Sequence, residues 1–347
     1  MRPVRVAING FGRIGRTLLR QLLHPGNNIF KVVAVNDLQP VETLLYLFQY
    51  DSVHGSLPST IGITQEADYF FAGNQKIKTF SERSPEKLPW RNLDVDIVID
   101  GIFPTYPLLA KHLEAGAKRV VLTAPAKDKE VFTFTPGVNE KNLTKNHLIT
   151  SNASCTTNAA VPIIKSVLLP LGIRRLQIGT IHAYTASQTL VDSPVGKKDL
   201  RGSRAAAENI IPSTTGASQA IPLLFPELKG KVDGYSIRVP VPNGSLVVLT
   251  TEVEQNVSCI AELNSAIIKA ARLDDWRFRK ILGTTNEPVV SRDIIGNDYG
   301  SFVDLGMTSV IDGYMLTIGA WYDNEWGYCS MLKHHLFKVA RTAGFIS

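Results

Sequence analysis

The chain has 347 residues, 44% hydrophobic and 20% charged, with a formal net charge of +6 and three cysteines. That length supplies apolar material for two cores, and the balance is that of a globular protein. No apolar run approaches the ~18 residues a membrane span needs. Three scattered cysteines exclude a disulfide framework or a zinc site, and the basic residues form no block of the kind that grips nucleic acid.

Val4 to Asn9 is a short apolar run with no cleavable signal pattern ahead of it, which makes a cytoplasmic location the expectation. Arg13 to Leu23 has helical periodicity and Lys31 to Asn36 is apolar again. Val95 to Asp100, a helical Leu108 to Ala117 and Arg119 to Thr123 repeat the rhythm. This β-α-β alternation predicts an α/β domain with a doubly wound, mostly parallel sheet. Between the first strand and helix stands Gly10-Phe11-Gly12-Arg13-Ile14-Gly15. Glycines there permit a tight turn and let backbone N–H groups approach a pyrophosphate at the helix start. Asp37 ends the next strand, where an acid accepts from both ribose hydroxyls and repels a 2′-phosphate, so the pattern favours NAD over NADP.

Ser151-Asn152-Ala153-Ser154-Cys155-Thr156-Thr157-Asn158 places a cysteine where a turn hands over to a helix-patterned run, Ala159 to Leu169. Ser and Thr suit the cap of a helix start. The N–H groups there favour an anion, so a thiol in that place is expected to lose its proton more readily. Beyond it the texture turns β-rich: Leu176 to Ala183, Tyr235 to Val241 and Leu246 to Glu254. Two helical patterns accompany them, Ile260 to Arg272 and Met331 to Ala343. An α+β second domain with a mainly antiparallel sheet is expected. Asp192 to Arg204 is a long polar stretch without periodicity, of the kind that serves function or an interface.

These motifs, with Tyr50-Asp51-Ser52-Val53-His54-Gly55, Asn209-Ile210-Ile211-Pro212, Arg238-Val239-Pro240 and Trp321-Tyr322-Asp323-Asn324-Glu325, make the chain resemble the phosphorylating glyceraldehyde-3-phosphate dehydrogenases over nearly its whole length. The resemblance implies a Rossmann-type NAD-binding domain over 1–153, a catalytic domain over 154–323, and a C-terminal helix, 324–347, packing back on the first domain. It implies a cytoplasmic homotetramer in which the 192–204 loop reaches a neighbour's cofactor site, with glyceraldehyde 3-phosphate and inorganic phosphate as substrates and no dedicated nucleic-acid partner. Two alternatives stay open: a dehydrogenase of another phosphorylated aldehyde such as erythrose 4-phosphate, and a non-catalytic binding protein on the same scaffold.

Residue by residue, the resemblance makes Cys155 the nucleophile and His182 its ion-pair partner and acid–base group. Gly10, Phe11, Gly12, Arg13 and Ile14 would form the cofactor turn, and Asp37 would hold the adenosine ribose. Arg83 and Thr123 match positions near the adenine and ribose, and Asn324 matches the side chain that orients the nicotinamide carboxamide. Thr185, Ser187 and Arg238 would bind the substrate phosphate; Ser154, Thr156, Thr215 and Gly216 would surround the attacking one. No metal is expected. His54, His112 and His147 read as structural, Cys259 and Cys329 as packing residues, and His334-His335 as a solvated helix edge. Ile99-Asp100-Gly101-Ile102-Phe103 is about two residues short of the family pattern, lacking a Ser-Thr pair before the glycine.

Overall fold

The computed structural model describes residues 2–195, 199–273 and 280–346, so part of the 192–204 stretch, residues 196–198, lies outside it. The chain divides into two compact units: Met1–Thr135, Asn139–Ala153 and Leu332–Ser347 in the first, Pro136–Val138 and Ser154–Met331 in the second.

The first unit holds β1 (Val4–Asn9), α1 (Arg13–Leu22), β2 (Phe30–Asn36), α2 (Val41–Gln49), β3 (Ile63–Glu66), β4 (Tyr69–Ala72), β5 (Gln75–Phe80), β6 (Ile97–Asp100), α3 (Tyr106–Glu114), β7 (Arg119–Leu122), β8 (Phe132–Thr133) and β9 (Ile149–Ser151). Its sheet runs β3-β4-β5-β2-β1-β6-β7-β9-β8. The ladders from β5 through β8 are parallel; β3, β4 and β5 form an antiparallel edge. Central strands such as Val6-Ala7-Ile8 and Ile97-Val98-Ile99 are continuous apolar runs because both faces are covered. The chain leaves β1 toward β2 on one side while β6 lies on the other, so the strand order reverses at β1/β6. A doubly wound sheet opens its ligand crevice outside the carboxyl ends of the strands at such a point. α2 and β3–β5 are additions that the apolar periodicity alone does not indicate.

The second unit contains α4 (Cys155–Ile163), β10 (Ile173–Ala183), β11 (Ile211–Ser213), α5 (Ala217–Leu224), β12 (Val232–Val239), β13 (Ser245–Val253), α6 (Ile260–Leu273), β14 (Leu282–Thr285), β15 (Ser301–Ile311), β16 (Met315–Tyr322) and the start of α7 (Trp326–Thr342). Its sheet order is β11-β12-β10-β13-β16-β15-β14, antiparallel except for the β10/β12 and β14/β15 pairs. Thus β12 and β13, consecutive in sequence, lie on opposite sides of β10. α4 packs Ala159, Ala160, Val161 and Ile163 into one core with Val247, Leu249, Ile318 and Ala320. Full burial of each branched side chain contributes roughly 1.5–3 kcal/mol, which anchors the start of α4 against the sheet. Pro162 has no N–H to continue the α ladder, and the run expected to stay helical to Leu169 becomes a π turn at Ile164–Leu168 and a 3-10 turn at Leu169–Leu171.

Candidate active site

In the second unit, Cys155 is the first residue of α4, and the Ser154 hydroxyl caps the helix by accepting from the Thr157 N–H at 3.0 Å. Ala153, immediately before the cap, has φ 53°, a left-handed conformation that costs a side chain about 1–3 kcal/mol. His182 stands near the end of β10, and the parallel register sets it directly beside Arg238 of β12. Cys155 Sγ lies 3.4 Å from His182 Nε2.

The other imidazole nitrogen, Nδ1, lies 2.6 Å from the Ala183 carbonyl oxygen and 2.6 Å from Arg238 Nη1. These neighbours ask for opposite tautomers. An Nδ1–H donating to Ala183 leaves Nε2 as acceptor for the thiol proton; an Nδ1 accepting from Arg238 leaves an Nε2–H that donates to a thiolate. Arg238 also donates to the Ala183 carbonyl at 3.1 Å. The imidazole is thus placed to serve either side of a proton transfer with sulfur.

Burial opposes the charges expected at this pair. Burial pushes the Cys155 thiol above its ordinary value, outweighing the Arg238 charge and the donors of Thr156 and the Cys155 N–H that pull it down. Burial, and after it the Arg238 guanidinium, lowers His182 to about 4, against the Ala183 carbonyl, which raises it. Both shifts have burial as their first cause, and their direction runs against the ion pair that the helix start and the resemblance suggest. Tyr322 closes the wall: its ring stands edge-on to His182 at 5.9 Å, and its hydroxyl is 2.9 Å from Thr156 Oγ1. Tyr322 lies in a segment the sequence analysis singled out but gave no role; its sidedness depends on the β13/β16 register, Ser245 opposite Tyr322.

The remaining candidates of this unit fall in three groups. Asn324 is buried, and its Oδ1 accepts from Ser245 Oγ at 2.8 Å, which fixes the carboxamide's orientation. Thr215 and Gly216 precede α5, with Thr215 Oγ1 accepting from the Ala217 N–H at 3.2 Å, and β11 joins this segment to β12 beside Arg238. Thr185 and Ser187 follow β10 and pair with each other at 2.8 Å, while Arg238 is engaged with His182 and Ala183.

In the first unit the glycine turn fits a dinucleotide. Gly10 takes φ +96°, and a Cβ on Gly15 would stand 2.4 Å from the Gly10 carbonyl, so neither accepts a side chain without strain. A Cβ on Gly12, by contrast, would meet open space, where a ligand can approach backbone at the start of α1. One Asp37 oxygen accepts from the Phe11 N–H at 2.8 Å and the other from the Gln39 N–H at 3.0 Å. Each oxygen keeps a further lone pair for a ribose hydroxyl. A cleft of about 390 Å³ opens here, lined by Asp37, Leu38, Phe80 and Ser81 among others. The Arg13 side chain is turned to Asp51, whose carboxyl overcomes its burial through the His54 and Val53 N–H groups and Arg13, and is held at about 2. Arg83 is exposed just beyond β5, and Thr123 follows β7 with its Oγ1 close to Gly101.

Two further expectations are corrected. His335 is not a solvated edge but fully buried, stacked on Phe134 at 4.4 Å with Nδ1 3.2 Å from Asn152 Oδ1. Cys259 is exposed just ahead of α6 and is no packing residue, whereas Cys329 is buried. Among the described residues no group of acidic, His and Cys side chains could hold a metal, and no helix is long and apolar enough to cross a membrane.

Two family models match the chain: "Glyceraldehyde 3-phosphate dehydrogenase, NAD binding domain" over residues 4–104 and "Glyceraldehyde 3-phosphate dehydrogenase, C-terminal domain" over 154–324. Similar curated proteins include glyceraldehyde-3-phosphate dehydrogenase 2 of Streptomyces avermitilis, 46% identical over 332 residues, 95% of this chain and 96% of that one. The glyceraldehyde-3-phosphate dehydrogenase of Geobacillus stearothermophilus is 46% identical over 328 residues, 94% of this chain and 95% of that one. Glyceraldehyde-3-phosphate dehydrogenase 1 of Bacillus subtilis is 45% identical over the same length and shares.

Proposed function

This chain belongs to the glyceraldehyde 3-phosphate dehydrogenase family, and from that premise we propose that it oxidises D-glyceraldehyde 3-phosphate to 1,3-bisphosphoglycerate with NAD and inorganic phosphate. The observation that carries the reading is the 3.4 Å approach of the Cys155 thiol to His182 Nε2 at a capped helix start, with a guanidinium on the imidazole's far nitrogen.

Cys155 Sγ attacks the aldehyde carbon as His182 Nε2 takes the thiol proton, giving a thiohemiacetal. The N–H at the start of α4 holds the developing oxyanion. His182 returns that proton to the oxyanion to make the hydroxyl, then takes it back as the carbonyl re-forms to give a thioester; NAD, when bound, would supply the hydride acceptor. A phosphate oxygen bonds to the thioester carbon as the C–S bond breaks, His182 returns its proton to the Cys155 sulfur and the phosphate's own proton goes to solvent, while Ser154, Thr156, Thr215 and Gly216 hold the phosphate oxygens. Arg238 binds the phosphate carried by the aldehyde, helped by Thr185 and Ser187. Drawing its guanidinium toward that phosphate takes a cation away from Nδ1 and raises the basicity of His182 at the moment a base is needed.

For the cofactor, Gly10, Phe11, Gly12, Arg13 and Ile14 supply the turn, Asp37 the ribose contact, Arg83 and Thr123 the flanks, and Asn324 the carboxamide contact. A homotetramer acting in the cytoplasm is part of the same proposal. Leu190, Val191, Leu200, Ile210 and Leu223, all in one part of the second unit's sequence, are 69–83% exposed, apolar side chains that a partner subunit would cover. The test is NADH formation from glyceraldehyde 3-phosphate with phosphate supplied or omitted. Turnover that depends on phosphate and disappears in Cys155→Ser, with NAD binding retained, is expected. Preference for erythrose 4-phosphate would change the substrate, and no turnover with either aldehyde would remove the enzymatic reading.

A further inference from the structure

Asp100, at the carboxyl end of β6, is completely buried. Its Oδ2 accepts from Asn9 Nδ2 at 2.7 Å and lies 2.9 Å from His112 Nε2; its Oδ1 accepts from the N–H groups of Ile102 and Phe103, both at 2.7 Å. The Trp90 indole N–H donates to His112 Nδ1 at 2.9 Å. An indole N–H can only donate, so Nδ1 must accept, the imidazole proton must sit on Nε2, and Nε2 must in turn donate. The group facing it therefore has to be an acceptor. Asn9 Nδ2 and His112 Nε2 stand 3.4 Å apart because both converge on the same Asp100 oxygen. Asn9 is itself fixed at its Oδ1 by Asn36 at 2.7 Å.

This buried chain ends on a three-residue turn, Gly101-Ile102-Phe103, at the place where the sequence is short by a Ser-Thr pair. Within the turn the Gly101 N–H donates to the Asn9 carbonyl at 2.8 Å. It rests on the glycine turn: a Cβ on Gly10 would lie 2.9 Å from Ile102 Cγ1, so Ile102 fills the space over Gly10 and is still 46% exposed. β6 flanks β1 on the side away from β2, so this turn borders the crevice opposite Asp37.

We propose that Asp100 is a positioning residue for the cofactor, which, braced by Trp90, His112 and Asn9, pins Ile102 over Gly10 as a fixed apolar wall of the dinucleotide crevice. Rigid backbone hydrogen bonds to Asp100 take the place of the side-chain hydroxyls that the family pattern has in this loop. The inference rests on the reading of the first unit as an NAD site.

The test is calorimetric titration of the whole protein with NAD and, separately, with AMP, which reaches only the Asp37 side. Asp100→Asn swaps an acceptor for a donor, and the Trp90 N–H prevents His112 from adjusting its tautomer. Ile102→Gly removes the wall without touching the buried chain, and decides the matter if Asp100→Asn does not fold. In both variants the Kd for NAD is expected to rise at least tenfold while the Kd for AMP stays within twofold. Unchanged NAD affinity in Ile102→Gly, or an equal loss of NAD and AMP, overturns the inference. Failure of the unaltered protein to bind NAD overturns the underlying functional reading instead.

Discussion

Replacing His182 by Asn keeps a polar side chain but removes the acceptor 3.4 Å from Cys155 Sγ. The thiol is pushed above its ordinary value of 9.0 by burial, so at pH 7 the spontaneous thiolate fraction is about 1% or less. Without a base to take the proton as attack proceeds, kcat should fall at least about a hundredfold, about 2.7 kcal/mol. The upper limit set by general-base catalysis is about ten-thousandfold. The assay is NADH release with saturating glyceraldehyde 3-phosphate and phosphate, together with the affinity for NAD, which should not change. Residual turnover in the variant should climb about tenfold per pH unit between 7 and 9, because hydroxide then supplies the thiolate. A variant that keeps more than a tenth of the parent kcat at pH 7, or whose residual rate is flat with pH, would refute the assignment of His182 as the base.

Asp37→Ala removes the carboxylate proposed to exclude a 2′-phosphate, and the ratio of kcat/KM for NAD over NADP should drop at least tenfold; an unchanged ratio would show that Asp37 does not read the ribose. Ser154→Ala deletes the cap of α4 and should cost about 1 kcal/mol of stability in thermal unfolding, with KM for phosphate raised. Burial lowers His335 to about 3, below the 6.5 of the free side chain, so its contribution to stability is whole above pH 6.5 and is lost as pH falls toward 3. Between pH 7 and 5 urea unfolding should show the parent losing about 2 kcal/mol more than His335→Gln; equal losses would place His335 in contact with water.

What was legible in the sequence was what local residue types impose. Gly10 and Gly15 are required by a positive φ and by a 2.4 Å approach, and a chain can meet those demands only with glycine. Ser154 caps because a hydroxyl just before a helix finds the N–H three residues on. His335 was legible but misread: neighbours on a helix point about 100° apart, so one residue of a His-His pair can face water while the other faces inward. Leu332, Leu336 and Val339, all buried, place 335 on the inward stripe. Not legible were contacts set by strand register. His182 meets Arg238 across 56 residues, and Thr156 meets Tyr322 across 166. Each pairing needs the sheet order, and a slip of one residue would turn each strand partner to the opposite face.

The charge state of the thiol is the deepest of these non-local properties. Helix N–H groups at Cys155 and Thr156 do pull the thiol down, as the sequence suggests. Burial of the thiol pushes harder the other way. The proposed nucleophile is thus named by eight consecutive residues, whereas the direction of its shift is set by the burial that distant strands impose and then by Arg238. Burial first and the guanidinium second hold His182 low, so drawing that cation toward a phosphate would return part of the imidazole's basicity while taking from the thiol a charge that lowers it. On the proposed mechanism an unphosphorylated aldehyde, which offers Arg238 no new partner, should be oxidised slowly even though Cys155 and His182 are both intact. Comparing kcat for glyceraldehyde with and without its phosphate tests this, and equal values would show that Arg238 sets affinity alone.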